Sequence, residues 1–121
     1  MPYYFIELYT PKPAWLEMPV ARRRAVIDGI SSAMSIFSNL GVETLYMGEC
    51  DTTITHASRH PFLIILKFDD DIVRRELMAG LDASGWYDYF EHTNAAGYAY
   101  ERDQIPRHFS QLVNLATIAC E

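Results

Sequence analysis

The chain has 121 residues, half of them hydrophobic, and its sixteen acidic and ten basic residues give a formal net charge of −6. This length fits one domain with a substantial core, and the acidic balance disfavours nucleic acid as a partner, because nucleic-acid binding needs a basic face. Cys50 and Cys120 are too far apart in sequence for a zinc motif, and no run of about 18 apolar residues could span a membrane. We therefore expect a soluble, cytoplasmic protein with no membrane or nucleic-acid partner.

The first predicted element is a strand at residues 3–9. Its sequence, YYFIELY, alternates along the chain and is rich in aromatic residues, which is typical of a strand with both faces partly covered. One face would carry Tyr3, Phe5, Glu7 and Tyr9, and the other Tyr4, Ile6 and Leu8. Three prolines within residues 10–19 then predict a structured loop, because proline lacks a backbone donor and disfavours helix at the preceding residue.

The middle of the chain predicts a helix followed by two strands. From Pro19 onward, apolar residues recur at helical spacing for about twenty residues, and Gly41 is placed to cap the C-terminal end. Residues 42–50 (VETLYMGEC) predict a half-buried strand, and residues 61–68 (PFLIILKF) a more deeply buried one. The polar residues 51–60 between them predict a long loop that joins a hairpin-like pair.

The C-terminal half predicts a second long helix, a weak strand and a last helix. Acidic residues 69–71 favour a helix N-terminus, and an apolar stripe follows until Gly85 ends the helix. Residues 94–103 (NAAGYAYERD) predict only a weak fourth strand, because glycine and alanine have low strand propensity. Pro106 is placed to open a last helix, whose inner residues would be Phe109, Leu112, Val113 and Ala116.

These elements predict a single α+β domain over residues 1–121, with a core at 1–100 and a C-terminal helical extension at 101–121. The order βαββαβ folds most simply as a ferredoxin-like unit, with an antiparallel sheet and both long helices on one face. The other face of the sheet would then be open. In so apolar a chain, the simplest cover for that face is a second copy related by a twofold axis.

The segment at residues 84–97, SGWYDYFEHTNAAG, together with the length and element order of residues 1–100, resembles the dimeric α+β barrel superfamily, and in particular an uncharacterised bacterial branch. That superfamily includes cofactor-free monooxygenases of antibiotic biosynthesis, muconolactone isomerases and polyketide cyclases. The resemblance implies a homodimer with two sheets packed back to back. It also implies a pocket between sheet and helices for a small aromatic or polyketide-like molecule, but it assigns no catalytic residue, because no diagnostic motif of these families is present.

His92 and Asn94 are the candidate catalytic residues. They follow a dense aromatic cluster at the expected entrance to the last strand. In a pocket, His92 could act as a general base near neutral pH, and the Asn94 amide could hold a carbonyl or an oxyanion. The alternative is structural: the aromatic residues pack the corner, and Asn94 bonds the backbone in the turn before Gly97.

Five further residues are candidates for substrate binding: Trp86, Tyr87, Glu7, Phe5 and Tyr46. The two aromatic residues after Gly85 are large enough to line a pocket, although large aromatic residues more often serve packing. A carboxyl at Glu7, among aromatic residues on one strand face, would be desolvated and therefore suited to proton transfer. Glu7 could equally pair with an arginine or lie at an exposed sheet edge.

The loop at residues 51–60 contains His56 and His60, four residues apart. This spacing can bind metal on a helix, but Pro61 follows at once and the surrounding pattern is not helical, so we expect no metal site. Arg59 is a candidate for binding a ligand carboxylate from a loop over the pocket mouth. The alternative is an ordinary solvated loop.

The sequence thus favours a homodimer that binds or transforms a small hydrophobic, aromatic or polyketide-like compound without a cofactor. If it is an enzyme, the expected chemistry is proton transfer, cyclisation, isomerisation or oxygenation, with His92 as base and Asn94 and Tyr46 as polar anchors. The competing hypothesis is a non-catalytic ligand-binding or stress-associated dimer, in which the same residues serve packing.

Overall fold

The computed structural model describes residues 2–118, and the predictions for Cys120 lie outside the described residues. The chain forms an α+β fold with one four-stranded sheet, as the sequence predicts. The strands are β1 (Tyr3–Pro11), β2 (Glu43–Glu49), β3 (Phe62–Phe68) and β4 (Phe90–Tyr98). The α-helices are α1 (Pro13–Leu16), α2 (Val20–Asn39), α3 (Asp71–Ala83), α4 (Trp86–Tyr89) and α5 (Ile105–Val113), with a 3-10 turn at Arg102–Gln104.

The sheet has the strand order β2-β3-β1-β4, and each neighbouring pair is antiparallel. The first strand is therefore central, although it comes first in sequence. Its register places Glu7 between Ile64 on β3 and Asn94 on β4. Because side chains alternate along a strand, these three residues lie on the same face of the sheet.

The core lies between that face and the two long helices. Phe5, Ile64, Leu66 and Phe68 from the sheet are buried with Leu77 of α3, and Met34 and Phe37 of α2 pack against this cluster. We call this side the helix face of the sheet, and the other side, which carries Tyr4, Ile6 and Leu8, the open face. The apolar alternation predicted for β1 is confirmed.

Helix α3 begins at a side-chain cap, as the acidic residues at 69–71 predict. The carboxylate of Asp70 accepts hydrogen bonds from the backbone N–H groups of Ile72 and Val73, at 2.8 and 3.1 Å. Such caps satisfy donors that the first helical turn leaves free. At the other end, Gly85 has a φ of +82°, and this left-handed conformation turns the chain into α4.

Four sequence predictions about these elements need correction. The last helix ends at Val113, before Ala116, and its predicted inner residues Phe109, Leu112 and Val113 are exposed, because α5 does not pack on the core. The last strand begins at Phe90 instead of 94, because pairing with β1 extends to the Pro11–Phe90 pair and outweighs weak local propensity. The strand β2 is mostly exposed and not half-buried, since it forms an edge of the sheet. The loop after β1 contains the short helix α1.

Candidate functional site

A cavity of about 420 Å³ lies between α2, α3 and the helix face of the sheet. We call it the helix–sheet cavity. Most of its lining is apolar, and its polar side chains are one carboxyl, one phenol, one indole and two serines. The lining residues are Glu7, Tyr9, Ile27, Ile30, Ser31, Met34, Ser35, Met47, Ile64, Leu81 and Trp86. Its volume falls within the range of small-molecule pockets, about 300–1,000 Å³.

Glu7 supplies the single carboxyl group of the cavity. The residue is only 2 % exposed, because it points from the central strand into the helix face. Burial removes the carboxylate from water and raises the pKa of Glu7 from 4.5 to about 7, and a hydrogen bond from the Tyr87 hydroxyl opposes this rise. Near neutral pH, Glu7 therefore exchanges between its acid and carboxylate forms.

A hydrogen-bonded chain leads from the protein surface to Glu7. The side-chain amide of Asn94, which is exposed, donates to the Tyr87 hydroxyl at 3.3 Å. The Tyr87 hydroxyl in turn donates to Oε1 of Glu7 at 3.3 Å. Because Asn94 occupies an acceptor position of the phenol oxygen, the hydroxyl hydrogen is left to point at Glu7. Burial raises the pKa of Tyr87, which keeps this hydroxyl a donor at neutral pH.

His92 lies beside Glu7, behind the cavity wall. Its Nδ1 is 3.4 Å from Oε1 of Glu7, and its side chain is 6 % exposed. Burial lowers the pKa of His92 to about 4, while Asn94 acts weakly in the opposite direction. At neutral pH His92 is thus uncharged and Glu7 is partly protonated, so the contact is not an ion pair, although its length would allow one. Neither ring nitrogen has a hydrogen-bond partner among residues 2–118.

Aromatic rings surround the Glu7–His92 contact. The Tyr9 ring is stacked on His92 at a centroid distance of 5.7 Å and meets Trp86 edge-on at 5.4 Å. Tyr87 meets His92 edge-on at 4.5 Å. The turn at Gly85 positions Trp86 and Tyr87 here, so the aromatic cluster that follows α3 in sequence forms one end of the cavity.

Comparison of the chain with known protein families gives a match. A family model matches residues 2–115, which is nearly all of the described chain. The protein belongs to DUF6616, a family of unknown function. Every residue of the Glu7 cluster lies inside the matched range.

Curated proteins and solved structures add little to the assignment of this chain to DUF6616. No curated protein matches it. Among solved structures, it is similar to a crystal structure of a Burkholderia cenocepacia protein provisionally described as an amidohydrolase/peptidase, with 17% sequence identity and a TM-score of 0.33. The alignment covers 95% of this chain and 33% of the other, so the chain spans about a third of the length of that protein.

The structure brings together five of the predicted site residues and separates the other three. Glu7, Trp86, Tyr87, His92 and Asn94 form one cluster on the helix face. Phe5 is on the same face but is buried in the core and does not line the cavity. The other two, Tyr46 and Arg59, lie on the opposite side of the sheet.

Tyr46 and Arg59 lie on the open face of the sheet, away from the helix–sheet cavity. Tyr46 pairs with Ile65, which points to the open face, and its hydroxyl donates to the backbone oxygen of Glu49 at 3.1 Å. Arg59 forms an exposed ion pair with Glu91 at 2.6 Å, also on the open face. Neither residue can contact a molecule in the helix–sheet cavity. In place of Tyr46, its neighbour Met47 lines the cavity.

His60 is a buried residue whose role could not be predicted from its sequence neighbours. Its ring lies on the open face, where Nδ1 bonds with the Thr10 hydroxyl and Nε2 with the Thr93 hydroxyl, each at 2.8 Å. It therefore ties the loop before β3 to strands β1 and β4, which corrects the expectation of a fully solvated loop. His56 stays exposed. Residues 2–118 contain no group of three or more side chains that could hold a metal ion.

No helix within residues 2–118 combines the length and the apolar character that a transmembrane segment requires.

Proposed function

We propose that the protein binds a small hydrophobic compound in the helix–sheet cavity and exchanges a proton with it through Glu7, without a cofactor. The observation that carries this proposal is the position of Glu7: a carboxyl with a pKa of about 7 faces an apolar cavity of about 420 Å³. A carboxyl of this pKa is available in both protonation states at neutral pH, which general acid–base catalysis requires.

Glu7 is better placed than His92 to act as the base. His92 does not line the cavity, and at neutral pH its pKa of about 4 makes it a weak base. In the proposed step, the Glu7 carboxylate removes a proton from an acidic C–H or O–H group of the compound. The resulting carboxylic acid then returns that proton to a different atom of the same compound, so the net reaction is an isomerisation and no co-reactant is consumed. The Tyr87 hydroxyl stabilises the carboxylate as a hydrogen-bond donor.

We further propose that the fold is ferredoxin-like and that two copies form a dimeric α+β barrel. The strand order, read from the other edge as β4-β1-β3-β2, supports this assignment, because a split βαβ unit places its first and third strands at the centre. The partly exposed apolar side chains Tyr4, Ile6, Leu8 and Ile65 on the open face support a second copy there.

Ligand binding without turnover is the second candidate function. It is favoured by the small number of ionisable groups in the cavity: among the residues that line it, only Glu7 and Tyr9 ionise, and burial raises the pKa of the Tyr9 phenol above 10.0. A single acid–base group suffices for binding and for proton shuttling. It does not suffice for reactions that need a separate acid and base at the same time.

Native mass spectrometry of the purified protein, followed by ligand release, tests the cavity. A co-purified hydrophobic compound should be retained by the wild type and by Ser38→Trp, which changes the far end of α2. It should be lost in Ser31→Trp, because that side chain would fill the cavity mouth. Equal retention by the two tryptophan variants would contradict binding in the helix–sheet cavity.

Deuterium uptake by the released compound, after incubation of the complex in D₂O, tests proton exchange. Glu7→Gln should abolish uptake into carbon-bound positions, whereas His92→Phe should leave it within a few-fold of wild type. The reverse result would assign the base to His92. Retention of the compound without uptake in the wild type would support binding without turnover.

For the assembly, light scattering at micromolar concentration should return twice the chain mass, and a monomer mass would exclude the dimer.

A further inference from the structure

The charge of the helix–sheet cavity is unbalanced. Within residues 2–118, its lining contains one carboxyl and no lysine, arginine or histidine. The described partners of Glu7 are the Tyr87 hydroxyl and the His92 ring. Both are uncharged at neutral pH, so the described residues supply no cation to a Glu7 carboxylate.

The walls next to Glu7 suit a positive charge. Tyr9 and Trp86, which are in edge-on contact with each other, line the cavity together with Glu7, and aromatic rings attract cations through their quadrupole. Met34 and Met47 add polarisable sulfur atoms, and Ser31 and Ser35 add hydroxyls that can accept a hydrogen bond from an ammonium group. The chain as a whole carries a formal net charge of −6, which favours the approach of cations over anions.

We propose that the helix–sheet cavity selects small organic cations, each an ammonium group on a compact hydrophobic body, with the ammonium held by the Glu7 carboxylate beside the rings of Tyr9 and Trp86. This proposal rests on the proposed function of the cavity and names its ligand class. The hydrophobic body lies against Ile27, Ile30 and Leu81, and a carboxylate ligand is excluded because it would meet Glu7 with no cation to separate them.

Such binding is linked to pH through Glu7. A bound ammonium favours the carboxylate form, so a ligand that enters a site with protonated Glu7 must displace the proton. The other titratable groups that face Glu7 are Tyr87 from α4, His92 from β4 and Tyr9 from its own strand. The residues that face the cavity from α2, α3, β2 and β3 do not ionise. Between about pH 5 and 8, Glu7 is thus the group whose titration controls binding.

Isothermal titration calorimetry with three size-matched probes tests this inference: benzylamine, benzyl alcohol and benzoate. At pH 8, benzylamine should bind at least about tenfold more tightly than benzyl alcohol, and benzoate should bind most weakly. Below the Glu7 pKa, the benzylamine affinity should fall by up to about tenfold per pH unit, with proton release on binding. The affinity of benzyl alcohol should change little with pH.

Two glutamate variants complete the test. Glu7→Gln should remove the preference for benzylamine and its pH dependence, while Glu91→Gln, on the open face, should preserve both. If benzyl alcohol binds as tightly as benzylamine in the wild type, or if Glu7→Gln keeps the preference, the cation proposal is overturned and the proposed function stands. If none of the three probes binds to the wild type, the cation proposal is also overturned, whereas the proposed function is decided by the retention of a co-purified compound in native mass spectrometry.

Discussion

Replacing Glu7 by glutamine should remove a loss of stability that the wild type shows as the pH rises from about 5 to about 8. The carboxyl has a pKa of about 7 in the folded chain, against 4.5 ordinarily. Because the folded pKa is the higher one, the folded state binds the proton more tightly than the unfolded state. The stability associated with that proton is fully present below pH 4.5 and is lost as the pH rises through 7.

The magnitude follows from the same two values. A pKa difference of about 2.5 corresponds to about 3 kcal/mol, most of which develops between about pH 5 and pH 8. Over that interval, the free energy of unfolding of the wild type should fall by about 2–3 kcal/mol relative to that of Glu7→Gln. Only the difference between the two pH profiles is used, so any constant effect of the amide on packing cancels.

Urea unfolding followed by tryptophan fluorescence, at closely spaced pH values, measures this difference. Glu91→Gln is the matched control: its exposed ion pair with Arg59 lowers the pKa of Glu91 below 4.5, so this variant and the wild type should have parallel profiles between pH 5 and pH 8. Parallel profiles for the wild type and Glu7→Gln between pH 5 and pH 8 would refute the reasoning, since they would mean that burial does not perturb the Glu7 carboxyl.

Three further substitutions test neighbouring parts of the site. Tyr87→Phe should raise the pKa of Glu7 further, as seen by carbon-13 NMR of the carboxyl, because it removes a hydrogen bond that favours the carboxylate; an unchanged pKa would rule out that bond. His92→Phe should remove a loss of stability that the wild type shows on acidification. The pKa of His92 in the folded chain is depressed to about 4, so the stability contributed by its neutral ring is present above about pH 6.5 and is lost as the pH falls through 4. Urea unfolding at pH 4 and pH 7 decides this, and equal acid sensitivity of variant and wild type would contradict it. His60→Asn should destabilise the fold by about 1–3 kcal/mol, because asparagine is too short to bond both threonines, whereas His56→Asn at an exposed site with positive φ should cost under about 0.5 kcal/mol. Equal effects would show that the His60 bridge does not contribute to stability.

Local patterns in the sequence were sufficient for the long elements. Period-two alternation predicted β1 and its two faces, and helical spacing with suitable end residues predicted α2 and α3 within a few residues. The weak strand was placed too late, because β4 depends on pairing with β1 more than on its own composition. The exposure of β2 also could not be predicted from its local sequence, since an edge position is a property of the strand order in the sheet.

The clustered residues of the candidate site could be predicted from the sequence, but their roles could not. The sequence singled out Glu7, Trp86, Tyr87, His92 and Asn94 from residue type and aromatic surroundings, and the structure joins them in one cluster. Their roles depend on distances that no local pattern contains. Burial makes Glu7, not His92, the group that titrates near neutral pH, because desolvation moves the pKa of an acid up and that of a base down.

The sequence by itself determined the long elements β1, α2, β3 and α3, since these depend on the spacing of apolar residues and on the residues at their ends. It also determined that one strand would carry a carboxyl among aromatic rings. Only the tertiary structure decided which faces meet. The central position of β1, the turn at Gly85 and the register of β4 bring Glu7 to the cavity, Asn94 and Tyr87 to Glu7, and Tyr46 and Arg59 to the other side. The physical reason is that side-chain direction alternates along a strand, so function here depends on strand pairing as much as on residue type.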